Sequence, residues 1–213
     1  MKKILATMTM AATFAVTMVA TANSISLTAT SGGSTLTGTV FTPGEDIISA
    51  GSLNGWNFTV ISGSTAPAAG SLSSPYLDLN TVLVTGVGAG NLVVTFSGTD
   101  YTLAGGPALS VSGSTLIGTA QAYGGSSDTL ADESHALFAS PVTLSSSAQI
   151  VYGPGVGSSS NPYSLTEVLT ITGGAPGSLD EILTVPDGGM TLTMLGTALA
   201  GLAAVSSKIG RKH

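Results

Sequence analysis

The densest group of side chains able to do chemistry is Asp128, Asp132, Glu133 and His135. Aspartate and glutamate oxygens at short spacing can hold Ca²⁺. The order here lacks the Asp-x-Asp-x-Asp-Gly run of a calcium loop, so a solvated loop without a metal is expected. His135 is the only histidine before His213. A nucleophilic serine needs a histidine and an acid. Serines are plentiful, but no Gly-x-Ser-x-Gly elbow surrounds any of them between a strand and a helix. His135 is therefore expected at a strand end or on the surface. Asp132 and Glu133 are the acid pair to test for a hydrolase. The chain has no cysteine, hence no thiol nucleophile, thiolate metal site or disulfide. No enzyme and no cofactor are expected.

Aromatic rings can stack on sugars. Trp56 is the only tryptophan and the first residue to consider for ligand stacking, with Tyr76, Tyr101 and Tyr123 beside it. In Leu53-Asn54-Gly55-Trp56-Asn57-Phe58, however, Trp56 alternates with Phe58, and that spacing predicts a core position.

The elements that must position these residues have period two. Ile25, Leu27 and Ala29 alternate with Ser26, Thr28 and Thr30, and Leu36 to Phe41 continues in that style. Further strands are predicted at 56–62, 81–85, 92–97, 114–122, 148–152 and 164–172, rich in Val, Ile, Thr and aromatics between Gly, Pro, Ser and Asn. Glu45-Asp46, after Pro43-Gly44, reads as a turn. Thr129 to Phe138 allows one short turn or helix at most. Many short strands with glycine-rich turns predict an all-β fold, an antiparallel β-sandwich or a barrel-like variant of it. This ectodomain is expected over residues 23–174, with a linker over 175–184 that starts in the Gly/Pro-rich stretch.

Charge narrows the partners. All five basic residues, Lys2, Lys3, Lys208, Arg211 and Lys212, lie outside residues 23–185. Of the eleven acids only Asp187 lies outside, which leaves ten acids and no Lys or Arg between. Such a domain cannot neutralise phosphates, so nucleic-acid binding is excluded. Contact with an anionic membrane surface is disfavoured for the same reason. An acidic, hydroxyl-rich surface suits a protein kept soluble outside the cell.

The ends carry targeting information. Lys2 and Lys3 precede a small-apolar run from Ala6 to Ala20, closed by Ala20-Thr21-Ala22. These are the parts of a secretory signal peptide over residues 1–22, with a signal helix and cleavage between Ala22 and Asn23. At the other end, residues 189–207 hold no charge and are long enough for a transmembrane helix. The basic end 208–213 follows and is expected on the cytoplasmic side.

Before that span stands Val185-Pro186-Asp187-Gly188-Gly189. Pro186 fixes φ and keeps Val185 extended, and the two glycines leave the next turn free. This motif, the apolar span and the basic end together resemble the PEP-CTERM class of sorting signals, over residues 185–213. The class usually shows Val-Pro-Glu-Pro. Here Asp187 replaces Glu and Gly188 the second Pro, so the tail is similar to the Val-Pro-Asp variant. The resemblance implies export by the general secretory machinery, an inner-membrane-anchored precursor, and processing by an exosortase-like membrane protease. It further implies a Gram-negative host, a place at the cell surface or in the extracellular matrix, and a link to exopolysaccharide. On that reading Val185 to Gly189 belong to a substrate. Three functions follow: a structural or adhesive matrix protein first, a carbohydrate-binding module second, a secreted hydrolase third.

Overall fold

The computed structural model describes residues 24–66, 68–71, 74–102, 105–113, 115–154 and 162–185. The expected signal peptide (1–22), Asn23, the motif residues 186–189, the span 189–207 and the basic end 208–213 lie outside the described residues. No helix occurs among those described.

Thirteen strands follow one another: β1 (Ile25–Ser31), β2 (Ser34–Thr37), β3 (Thr39–Thr42), β4 (Glu45–Leu53), β5 (Trp56–Ser64), β6 (Tyr76–Gly86), β7 (Leu92–Tyr101), β8 (Ala108–Ser112), β9 (Leu116–Gly125), β10 (Val142–Thr143), β11 (Gln149–Tyr152), β12 (Tyr163–Gly174) and β13 (Gly177–Thr184). They form a six-stranded sheet in the order β10-β9-β12-β7-β1-β2 and a seven-stranded sheet in the order β11-β8-β13-β6-β5-β4-β3. Every pairing is antiparallel. One apolar core lies between the sheets, built from alternate inward residues such as Leu27, Trp56, Leu77, Leu79, Phe96, Leu109 and Leu169. The period of two thus becomes one buried and one outward face per strand.

Local chemistry explains the turns and the fit. Asn54 and Gly55 both have positive φ (48° and 84°), as the two-residue β4–β5 hairpin requires. Gly63 on β5 leaves room for Phe96 of the opposite sheet, since a Cβ there would sit 2.4 Å from the ring.

Three expectations need correction. The run from Leu36 to Phe41 is not one strand. It breaks at Gly38, β2 pairing with β1 in one sheet and β3 with β4 in the other. Beside the break lies Asp46, whose buried carboxyl accepts the Leu27 amide at 3.0 Å. A side chain on Gly38 would collide with that carboxylate at 2.3 Å. Glu45-Asp46 is not a turn either: the turn is Pro43-Gly44, and both acids open β4. Finally, residues 177–184 are not linker. They form β13, hydrogen-bonded between β8 and β6 in the interior of the seven-stranded sheet. The domain runs on to Val185, which is buried and donates its N–H to the Pro75 carbonyl at 3.0 Å.

Candidate functional site

The fold disperses the aromatic candidates. Trp56 is wholly buried, alternating inward with Phe58, so it has no face to offer a sugar. Its place as a stacking residue is withdrawn on that ground. Tyr101 is also buried, its hydroxyl 2.6 Å from Thr65 Oγ1 and its ring against Tyr163. Tyr76 and Tyr123 are half-buried, and the most exposed rings are Phe41 on β3 and Tyr152 on β11, 72% and 77% exposed.

The polar cluster near His135 folds a loop. Asp128 Oδ1 accepts the Asp100 amide at 2.8 Å, and Asp132 Oδ1 accepts the Ser134 amide at 2.9 Å. Hydroxyl donation from Ser127 and Ser134 holds the Asp132 carboxyl down to about 2. His135 Nδ1 lies 2.9 Å from Ser134 Oγ, while its carbonyl takes the Gly124 amide at 2.9 Å. The acid here orients the serine and not the imidazole, which is not the order of a catalytic triad. Asp132 is kept strongly ionised, unlike a general acid poised near neutrality. Among the described residues no three His, Cys, Asp or Glu side chains converge as a metal site.

Two carboxyl pairs stand where sequence reasoning did not look. Glu167 on β12 and Glu181 on β13 are both wholly buried, inside the sandwich. None of their four oxygens has a well-formed hydrogen bond. Burial raises Glu181 to about 8. Burial, and then the charge of Glu181, push Glu167 well above the carboxylate range, and the Leu183 amide opposes this only in part. Burial thus favours the neutral form of both acids inside the core.

The second pair is on the outside. Tyr76, Asp78 and Asn80 alternate with buried Leu77 and Leu79 on β6, so they face outward. Burial, and then the neighbouring Asp180 carboxylate, raise Asp78 to about 6, while the Tyr76 hydroxyl lowers it slightly by donating a hydrogen bond. The register continues this row across the sheet: Thr42, Glu45, Ser64, Asp78, Ile182, Ser110 and Ile150 lie opposite one another in turn. Two shallow grooves of about 260 and 270 Å³ open on this face. Phe41, Glu45, Ile47, Ser62 and Ser64 line one, Ser112, Ser178 and Asp180 the other, and Asn80 lines both.

The chain's last described residues lead to the tail. Thr184 is held in register by Tyr76 and Ala108 on its two sides, and Val185 is tucked against Pro75. Residues 184–209 match the family model of the VPDSG-CTERM motif. The VPDSG-CTERM tail is a C-terminal sorting signal, a variant of the PEP-CTERM kind. This chain has Gly188 where the motif's name has serine. The VPDSG-CTERM match marks an exported, envelope-associated protein sorted by an exosortase-like system. It begins on the final residue of β13, so motif and fold overlap at Thr184 and Val185. No curated protein and no solved structure matches the chain.

Proposed function

We propose that the chain is a non-enzymatic envelope or matrix protein of a Gram-negative bacterium. Its β-sandwich does structural or adhesive work in, or at the edge of, an extracellular polysaccharide layer. The secretory signal takes it across the inner membrane, the apolar span holds the precursor there, and the exosortase-like protease acts at Val185 to Gly189. The observation that carries this reading is the match of residues 184–209 to the VPDSG-CTERM motif. A structural role is supported by the use of the Asp128–His135 cluster to close a loop. A glycosidase role for Asp78 and Asp180 is disfavoured because they touch one another, closer than the ~5 to 9.5 Å between the two carboxyls of glycosidases.

The test is made in the native host with tagged protein. Surface material is expected to begin Asn23-Ser24-Ile25 and to have lost mass at the C-terminus. Changing Pro186 and Asp187 to Ala leaves the span intact, so a plain anchor would behave as before. A sorting signal instead leaves uncut precursor in the inner membrane. Equal mass and location for wild type and variant would refute the reading.

A further inference from the structure

Five strands supply the polar side chains of the outer face of the seven-stranded sheet, and their arrangement has the features of a ligand track. Thr42, Glu45, Ser64, Asp78 and Ser110 occupy one row, five strands of seven along it. Neighbouring strands are about 4.8 Å apart, close to the length of one sugar ring in a polysaccharide chain. The two grooves meet at Asn80, so they run on from each other across the strands and are not separate dimples. At the β3 edge Phe41, 72% exposed, lines the first groove, while Tyr152 at the β11 edge stands in the row of Ala108, Thr184 and Tyr76, outside both grooves. An exposed ring flanking carboxylates, hydroxyls and an amide is the chemistry that holds a sugar: C–H faces on the ring, hydroxyls on the acceptors. On the opposite sheet the outer row Thr28, Thr95, Val168 and Gln121 has neither a carboxylate nor an exposed aromatic.

Charge selects among sugars. The face carries Glu45, Asp78 and Asp180, and residues 23–185 contain no Lys or Arg to offset them. A uronate- or sulfate-bearing polymer would meet like charge with no cation to pair with.

We propose that this face binds a neutral polysaccharide chain laid across the strands, from Phe41 over Asn80 to Ser112 and Asp180. The proposal rests on the matrix reading above for the source of the ligand, and it adds the site and the charge class.

The experiment is affinity electrophoresis of the full chain, purified in non-ionic detergent, in gels holding one polymer each. The polymers are hydroxyethyl cellulose, galactomannan, neutral exopolysaccharide from the native host, and alginate. Retardation by at least one neutral polymer and none by alginate is expected. Phe41→Ala and Asn80→Ala should each weaken binding about tenfold, or ~1.4 kcal/mol. Thr170→Ala, on the opposite sheet, should bind as wild type. Circular dichroism and denaturant midpoints verify that the variants are folded. No retardation by any neutral polymer, equal retardation by alginate, or unchanged binding by both site variants overturns the proposal. None of these results touches the sorting reading, which is judged by precursor mass and location in cells.

Discussion

Replacing Glu181 by Gln tests whether the core holds a neutral acid. The folded-state value of about 8 lies above the ordinary 4.5. The folded protein therefore binds more protons than the unfolded chain between those values, and stability falls as pH rises through that window. At 1.36 kcal/mol per unit, and with one state half-titrated at each limit, the loss from pH 4.5 to pH 8 is on the order of 4 kcal/mol from Glu181. Glu167 and Asp78, also raised, add loss in the same direction. Asp132 acts oppositely, but only as pH falls from 3.8 toward about 2. The protein should therefore be most stable near pH 4. Glutamine keeps the shape and cannot ionise. Glu181→Gln should match wild type at pH 4.5 to within about 1 kcal/mol and exceed it at pH 8 by several. The double variant with Glu167→Gln should be flatter still. The assay is urea unfolding of the full chain in detergent, followed by tryptophan fluorescence at half-unit pH steps. Trp56, the only tryptophan, is buried and reports the core. A wild-type midpoint that is level or rising between pH 4.5 and 8 would refute the reasoning. So would a Gln variant that keeps the full slope.

Other outcomes follow from the packing. Ending the chain after Gly174 removes β13 from the interior of its sheet, so the product should be unfolded by circular dichroism, whereas a chain ending after Val185 should keep a strand spectrum. Trp56→Ala should lower stability by about 3 to 5 kcal/mol, as for other large core truncations, seen as a shifted urea midpoint. Gly118→Ala puts a Cβ 2.0 Å from the Thr170 carbonyl oxygen of the neighbouring strand, and should cost at least about 1 to 3 kcal/mol in the same assay.

The sequence made the strands visible where inward residues were plainly apolar, as in Ile25 to Thr30 and Leu92 to Ser97. It hid β13 because one inward position is Glu181, between Leu179 and Leu183, so the apolar alternation is interrupted. It hid β4 because an inward carboxylate, Asp46, opens the strand behind a Pro-Gly turn. Both misses have one cause: buried acids read as surface. The sorting tail was legible because an enzyme reads it as a linear string. The proposed outer-face track was not, since Glu45 and Asp180 lie far apart along the chain, and only strand register brings their face together.

The overlap of the tail with β13 has a mechanical consequence. Whatever the chain is joined to beyond residue 185 pulls on the end of an interior strand. A tension along β13 loads its hydrogen bonds to β6 and to β8 side by side, in shear, along most of the strand. An edge strand pulled sideways would instead peel one bond at a time. A domain tethered in this way resists drag at its attachment point with two ladders at once, and it yields by losing the strand that completes its core.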